Sequence, residues 1–180
     1  MQIKTENAVI RAFERKDAIN LCRIVREKGI LRFMPDWAEG KTEPQDYYDW
    51  IDWQQSQKES TDIYQNKRYA IALPGTDDMI GMVGMGLEDT LGEVEVAYFM
   101  SEQYQRRGYT KEAIDALTEW CFAVSDIPHL ILTIDAANEP SCRLAVKCGF
   151  ELFEKRMPIG HKQPNMESDS YYYFRKYRFA

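Results

Sequence analysis

Two short cassettes hold the residues best suited to chemistry. The first is Gln105-Arg106-Arg107-Gly108-Tyr109-Thr110, set between an apolar run and an amphipathic stretch. A strand end, a glycine-containing loop and a helix start make an anion site by construction. The helix leaves its first amide N–H groups unpaired, and its dipole favours negative charge there. Gly108 lets the backbone approach a ligand closely because no Cβ intervenes. Arg106 and Arg107 add cations that reach phosphate oxygens. The second cassette is Asn138-Glu139-Pro140-Ser141, followed by Lys147-Cys148-Gly149-Phe150. Taken alone, Asn138 reads as the N-cap of a proline-opened helix, and Ser141 as a residue that bonds backbone. Beside a bound diphosphate, the same small polar groups could handle whatever the diphosphate carries.

The elements around these cassettes follow from periodicity and turn signals. Residues 8–13 read as a strand, and Asp17 to Lys28 as a helix that Gly29 stops. Leu31 to Gly40 reads as an irregular loop. Thr42-Glu43-Pro44-Gln45 resembles a capping box opening a helix to about Gln57. Arg68 to Leu73, Met79 to Leu87 and Glu93 to Met100 are strands joined by short turns, and therefore antiparallel. Gly108 to Val124 is an amphipathic helix and His129 to Ile134 a buried strand. Glu139 to Lys147 is a short helix, with strands at Phe150 to Met157 and Ser170 to Phe179. The strand–helix–strand unit from Glu93 to Ile134 implies a parallel pair. The expected fold is α+β: a mixed, largely antiparallel twisted sheet flanked by helices. Residues 1–180 form one domain.

Composition excludes several classes. The chain has 29 acidic and 23 basic residues and a net charge of −6, which argues against a nucleic-acid partner. Cys22, Cys121, Cys142 and Cys148 form no C-x-x-C pair, and neither histidine, His129 or His161, sits near one at metal-ligand spacing. No metal site is expected. The cysteines read as reduced thiols. With neither an apolar leader nor a membrane-length run, the expected location is the cytoplasm, with no membrane partner. The spacing of the first cassette matches neither a P-loop nor a Rossmann fingerprint.

In combination the motifs carry a resemblance. Gln105-x-x-Gly108-x-Thr110 resembles the acyl-CoA pyrophosphate signature of the GNAT N-acetyltransferase superfamily, [RQ]-x-x-G-x-[GA], with threonine in the last place. Asn138-x-x-Ser141-x-x-Leu144-x-x-Lys147-x-Gly149-Phe150 is similar to the helix that follows in its RimJ/RimL-like branch. Glu95-Val96-Ala97-Tyr98-Phe99 resembles that branch's E-[IV]-[GA]-Y-[WF] strand. The resemblance implies a GNAT-like fold and direct transfer of an acetyl group from acetyl-CoA to an amine. It implies that Gln105 to Thr110, Asn138, Ser141 and Lys147 bind the cofactor. A backbone amide near Phe99 or Met100 would polarise the thioester. Glu95 would be the base, working through a water, and Ser141 the acid. The tyrosine that many relatives use as acid has Ala145 in its place here, so that role does not carry over.

On the acceptor side, Phe33, Trp37, Tyr47, Trp50 and Trp53 offer an aromatic wall that suits a cationic amine. The same side chains could simply dock a helix on the core. By alternation Glu93 lies on the strand face of Glu95, where it could share the substrate-side task. The acceptor is a protein N-terminus or a small amine, and edge strands could pair two copies into a homodimer. A non-catalytic acyl-CoA-binding sensor or partner subunit is the alternative. It would keep the first cassette without needing Glu95 or Ser141.

Overall fold

The computed structural model describes residues 1–157 and 170–179. His161 lies outside them. Eight strands form one sheet in the order β1-β2-β3-β4-β5-β6-β8-β7. They are β1 Gln2–Lys4, β2 Val9–Ala12, β3 Lys67–Ala72, β4 Met79–Glu88, β5 Glu93–Met100, β6 His129–Asp135, β7 Glu151–Arg156 and β8 Tyr171–Tyr177. The helices are α1 Ala18–Ile24, α2 Lys28–Phe33, α3 Tyr48–Ser56, α4 Tyr109–Val124 and α5 Glu139–Lys147. All neighbouring strands pair antiparallel except β5 and β6, which are parallel and joined through α4.

Strand alternation sends side chains to two separate cores. On one face Ile71, Val83, Val96 and Leu132 pack against Ala113, Ile114, Leu117 and Cys121 of α4 and Ala145 of α5. On the other face Ala70, Met82 and Phe99 pack against Leu21, Ile24, Ile30 and Ile51 of α1 to α3. At the edge of this second core Arg11 is buried against Asp17, with two bonds of 2.7 and 2.9 Å, and its Nε reaches Asp77 at 2.7 Å. This pin ties the entry to α1 to the β3–β4 turn.

Three expectations need correction. The first helix stops at Ile24, and Gly29 lies in the first turn of α2 rather than after a helix end. The reason is a pair of crossed carboxylates. Glu27 turns extended and accepts from the Ser101 hydroxyl at 2.7 Å and the Glu102 amide at 2.5 Å. Glu102 in turn accepts from the Gly29 amide at 2.8 Å, and a Cβ at Gly29 would stand 3.1 Å from that carboxylate. The segment expected as loop is therefore helical up to Phe33. The second helix is capped by Glu43 and Asp46, not by Thr42 and Gln45. The Asp46 carboxylate accepts from the amides of Glu43 and Thr42, which lower its pKa. Pro44 holds the first position as expected, although the first turn, Pro44–Tyr47, is a 3-10 turn. Finally, β1 is an additional strand. Its one inward residue, Ile3, packs on the first core between exposed Gln2 and Lys4, and the three residues are held by pairing with β2.

Asp17→Ala strands a buried guanidinium with one of its two carboxylates gone. We expect a loss of about 3 kcal/mol, the lower end for a broken buried pair because Asp77 remains. Urea unfolding measures it as a lower midpoint at unchanged slope.

Candidate active site

The site begins where the sheet loses a rung. Among the described residues, β5 and β6 pair only at Glu95 and Ile131. Beyond that point β5 stays paired with β4 as far as Met100, and β6 with β8 as far as Asp135. The Ser101 amide bonds to Ile80 of β4 at 2.9 Å, and Met100 sits opposite Gly81. Antiparallel alternation then turns the amides of Tyr98 and Met100 away from β4, toward the gap, while the Phe99 amide pairs with β4. Of the two amides expected to polarise a carbonyl, Met100 has the geometry.

Directly after β5 comes the first cassette. Gln105 folds back and donates from Nε2 to the Met100 carbonyl at 3.0 Å. Arg106 and Gly108 both have positive φ, 63° and 91°. Such alternation of hand curls the intervening amides into an anion-binding concavity. Gly108 is the N-cap of α4 and offers no side-chain cap. The first α4 amide with a partner among the described residues is that of Glu112, on the Gly108 carbonyl at 3.1 Å. The amides from Arg106 to Lys111 are thus available to a ligand. The first-turn carboxylate that would compete for them, Glu112, is held by Thr5 and Asn7 at 2.7 to 3.0 Å. Arg106 and Arg107 are exposed, Arg107 lying over the Tyr104 ring at 5.7 Å. Tyr109 packs against Tyr104, with ring centroids 6.3 Å apart. The Thr110 side chain is half-buried in the first turn of α4.

Across the gap, Asn138 caps α5 by accepting from the Ser141 amide at 3.3 Å, which leaves its side-chain N–H groups to a ligand. The Ser141 hydroxyl lies 2.7 Å from the Tyr98 hydroxyl. Burial pushes the Tyr98 phenol well above its usual value, so it keeps its proton at neutral pH. Tyr98 was quoted in the strand motif without a role; only the sheet register shows that it meets Ser141. Lys147 is exposed in the last turn of α5, and Ala145 is fully buried.

On the opposite sheet face, Glu95 Oε1 accepts from the Thr133 amide at 3.2 Å and from its hydroxyl. Burial raises the Glu95 carboxyl above 4.5, against the pull of the Thr133 bonds and of Arg68. Glu93 is engaged elsewhere. Its Oε1 accepts from Arg175 at 2.5 Å and contacts His129 at 2.7 Å, which ties it to β8 and β6 rather than to Glu95. Beside this face α3 and its approach roof a cavity of about 300 Å³, lined by Trp37, Tyr47, Trp50, Trp53, Gln54 and Arg68 among others. Trp37 stacks edge-on with Phe99 and Trp50 at 5.1 and 5.3 Å, linking this roof to β5. Phe33 lies under the Arg32 guanidinium at 4.8 Å and is not part of the cavity lining.

Residues 7–151 match the family model for the acetyltransferase (GNAT) domain. The chain belongs to the GNAT acetyltransferase family and is an acetyl-CoA-dependent N-acetyltransferase. It is 26% identical over 176 residues to the uncharacterized N-acetyltransferase YnaD of Bacillus subtilis (strain 168), covering 96% of this chain and 95% of that one. Its fold is similar to RimL, a ribosomal L7/L12 alpha-N-protein acetyltransferase solved with coenzyme A. That match has a TM-score of 0.79 at 17% identity, covering 98% of each chain. It is also similar to the microcin C7 self-immunity acetyltransferase MccE, solved with acetyl-CoA and AMP. There the TM-score is 0.78 at 15% identity, over 96% of this chain and 93% of that one. The free amides after β5 and the gap in the ladder fit such a cofactor. No helix among the described residues is long and apolar enough to cross a membrane.

Two outcomes follow. Gly108→Ala puts a side chain on a left-handed residue, at a cost of about 1 kcal/mol, and into the concavity. Calorimetric titration should show acetyl-CoA affinity falling by about tenfold or more, far beyond that stability loss. For Glu95, a carboxyl that is harder to ionise folded than unfolded makes the protein most stable below pH 4.5, with stability declining as the pH rises toward the folded pKa. Glu95→Gln has no such decline. Unfolding free energies measured across pH should shift in favour of the variant above 4.5 and run parallel below it.

Proposed function

We propose that the enzyme acetylates a primary amine presented to Glu95 from the cavity under α3, and that the acyl donor lies in the β5–β6 gap. The observation that carries this reading is the single rung at Glu95. It puts a raised carboxyl at the mouth of a gap lined by free strand amides, with the anion loop at its end. Acetyl-CoA, when bound, supplies an activated acetyl group.

The residues have distinct tasks. The amides of Arg106 to Lys111, with both arginines, hold the diphosphate. Asn138 holds the amide-bearing arm, the Tyr98 amide pairs with it as a neighbouring strand would, and Lys147 provides charge at the rim. The Met100 amide donates to the carbonyl oxygen as negative charge builds there. An amine arrives protonated and must lose a proton before it can attack. Glu95 takes that proton, directly or through a water. Its Oε1 is anchored by Thr133, so Oε2 is the atom that works. The N–C bond forms as the C–S bond breaks. The nitrogen then sheds a second proton, which balances the one the thiolate takes up. Ser141 can deliver that proton, and the Tyr98 hydroxyl 2.7 Å away, which stays protonated at neutral pH, can replace it. The demand is mild, since a thiol has a pKa of about 8.5. Alignment of amine and thioester supplies the rest.

The acceptor is a small amine rather than a protein N-terminus, which suits a pocket of about 300 Å³ walled by aromatic side chains. The protein acts within the cell interior, where acetyl-CoA is made. Two copies associate through β7, the edge strand at that end of the sheet.

The test is amine-dependent thiol release from acetyl-CoA. Glu95→Gln should lower kcat by about a hundredfold, at the lower end of general-base effects. It should also abolish the acid limb of the pH profile while leaving acetyl-CoA affinity intact. Tyr98→Phe should lower kcat by roughly tenfold at unchanged affinity. If Glu95→Gln kept full rate and the same acid limb, Glu95 would have no role as the base.

A further inference from the structure

Arg68 carries a charge with no ion-pair partner among the described residues. It stands on β3 opposite Gly84 of β4. A Cβ at Gly84 would run into the Lys67 carbonyl and Arg68 Cδ, so the missing side chain is the space the arginine crosses. Its Nη1 donates to the Lys67 carbonyl at 3.0 Å and to the Met85 carbonyl at 2.8 Å. Among the described residues, Nε and Nη2 have no hydrogen-bond partner, and no carboxylate comes within ion-pair distance. Glu95 feels the charge without pairing to it. Burial pulls the guanidinium down to about 10, which leaves it ionised at neutral pH. Its remaining N–H groups are open to the cavity that it lines, so an anionic ligand group can pair with them there.

The cavity that Arg68 lines narrows the choice. Its volume of about 300 Å³ is at the small end for a small-molecule site. Trp37, Trp50 and Trp53 give it flat apolar walls, Asp36 and Lys41 add one charge of each sign, and the buried Gln54 ties the α3 roof to β3 by accepting from the Arg68 amide at 2.9 Å. We propose that the acceptor is a small amino acid-like molecule with a flat apolar body, whose carboxylate pairs with Arg68 and whose amine faces Glu95. This rests on the acetyltransferase reading above and sharpens it. A peptide N-terminus would not serve, since the group next to its amine is an uncharged amide. The pairing also has a consequence for the base. Arg68 holds the Glu95 pKa down, so a carboxylate bound at Arg68 makes Glu95 more basic when substrate is present.

The experiment uses phenylalanine and tryptophan, each beside its own carboxamide and its decarboxylated amine, with thiol release as the readout. The full-length protein and its Arg68→Gln and Arg68→Lys variants are compared after acetyl-CoA binding has been measured for each. The parent should use at least one of the two amino acids with kcat/KM tenfold or more above its amide and amine. Arg68→Gln should erase that preference and Arg68→Lys keep part of it, with acetyl-CoA affinity unchanged. Equal use of acid, amide and amine would overturn the proposal, as would a preference that survives Arg68→Gln. So would turnover of the amides or amines alone, or of none of the six with acetyl-CoA binding intact; these leave the acetyltransferase reading standing. Failure to bind acetyl-CoA at all would instead overturn that reading, and this proposal with it.

Discussion

The structure depends on a missing run of hydrogen bonds. A parallel strand pair closed along its whole length would leave no room for a ligand between β5 and β6. Here the pairing stops at Glu95 and Ile131. Strand amides in a protein interior need partners, and those of Tyr98 and Met100 are turned to a place where only a ligand can supply them. The rest of the fold holds the two strands apart without loss of order. The ladder of β4 supports β5 to its last residue, and β8 does the same for β6. Helices α4 and α5 cover one face of the divide, and α1 to α3 cover the other.

In the proposed mechanism the two faces do different work, because strand alternation separates them. On the α4–α5 side the chemistry is that of anion binding and proton donation: free helix amides, Asn138, and the Tyr98–Ser141 contact at 2.7 Å. On the α1–α3 side it is that of a base and a substrate pocket. Arg68 and the tryptophan walls line one cavity there, Glu95 lies within reach of the Arg68 charge, and Gly84 gives Arg68 its path. The crossed carboxylates of Glu27 and Glu102 join the two halves. They tie the start of α2 to the short turn that precedes the anion loop.

Much of this was legible from residue order. β5 and α5 match the expected bounds, and β4 and α4 fall within one residue of theirs, because each has a strong period and a clear stop. The turn from loop to helix was readable from Gly108. What could not be read was cross-strand geometry. Arg68 looked like the start of a strand, since its importance comes from Gly84 and Glu95 lying beside it two strands deep. The assignment of Glu93 as a partner to Glu95 followed correctly from alternation, yet Arg175 and His129 arrive from other strands and claim it. Gly29 looked like a helix stop because its real purpose, admitting the Glu102 carboxylate, is a contact between distant segments. Tyr98 gained its role the same way.

The central claim is that the gap beside β5 and the loop after it receive the cofactor through backbone amides. Amide hydrogen exchange with and without acetyl-CoA tests this most directly. The account predicts that Arg106 to Lys111, with Tyr98 and Met100, exchange quickly in the free protein and become protected when acetyl-CoA is added, while α3 changes little. Slow exchange at these amides in the free protein, or no added protection with acetyl-CoA at saturation, would contradict it.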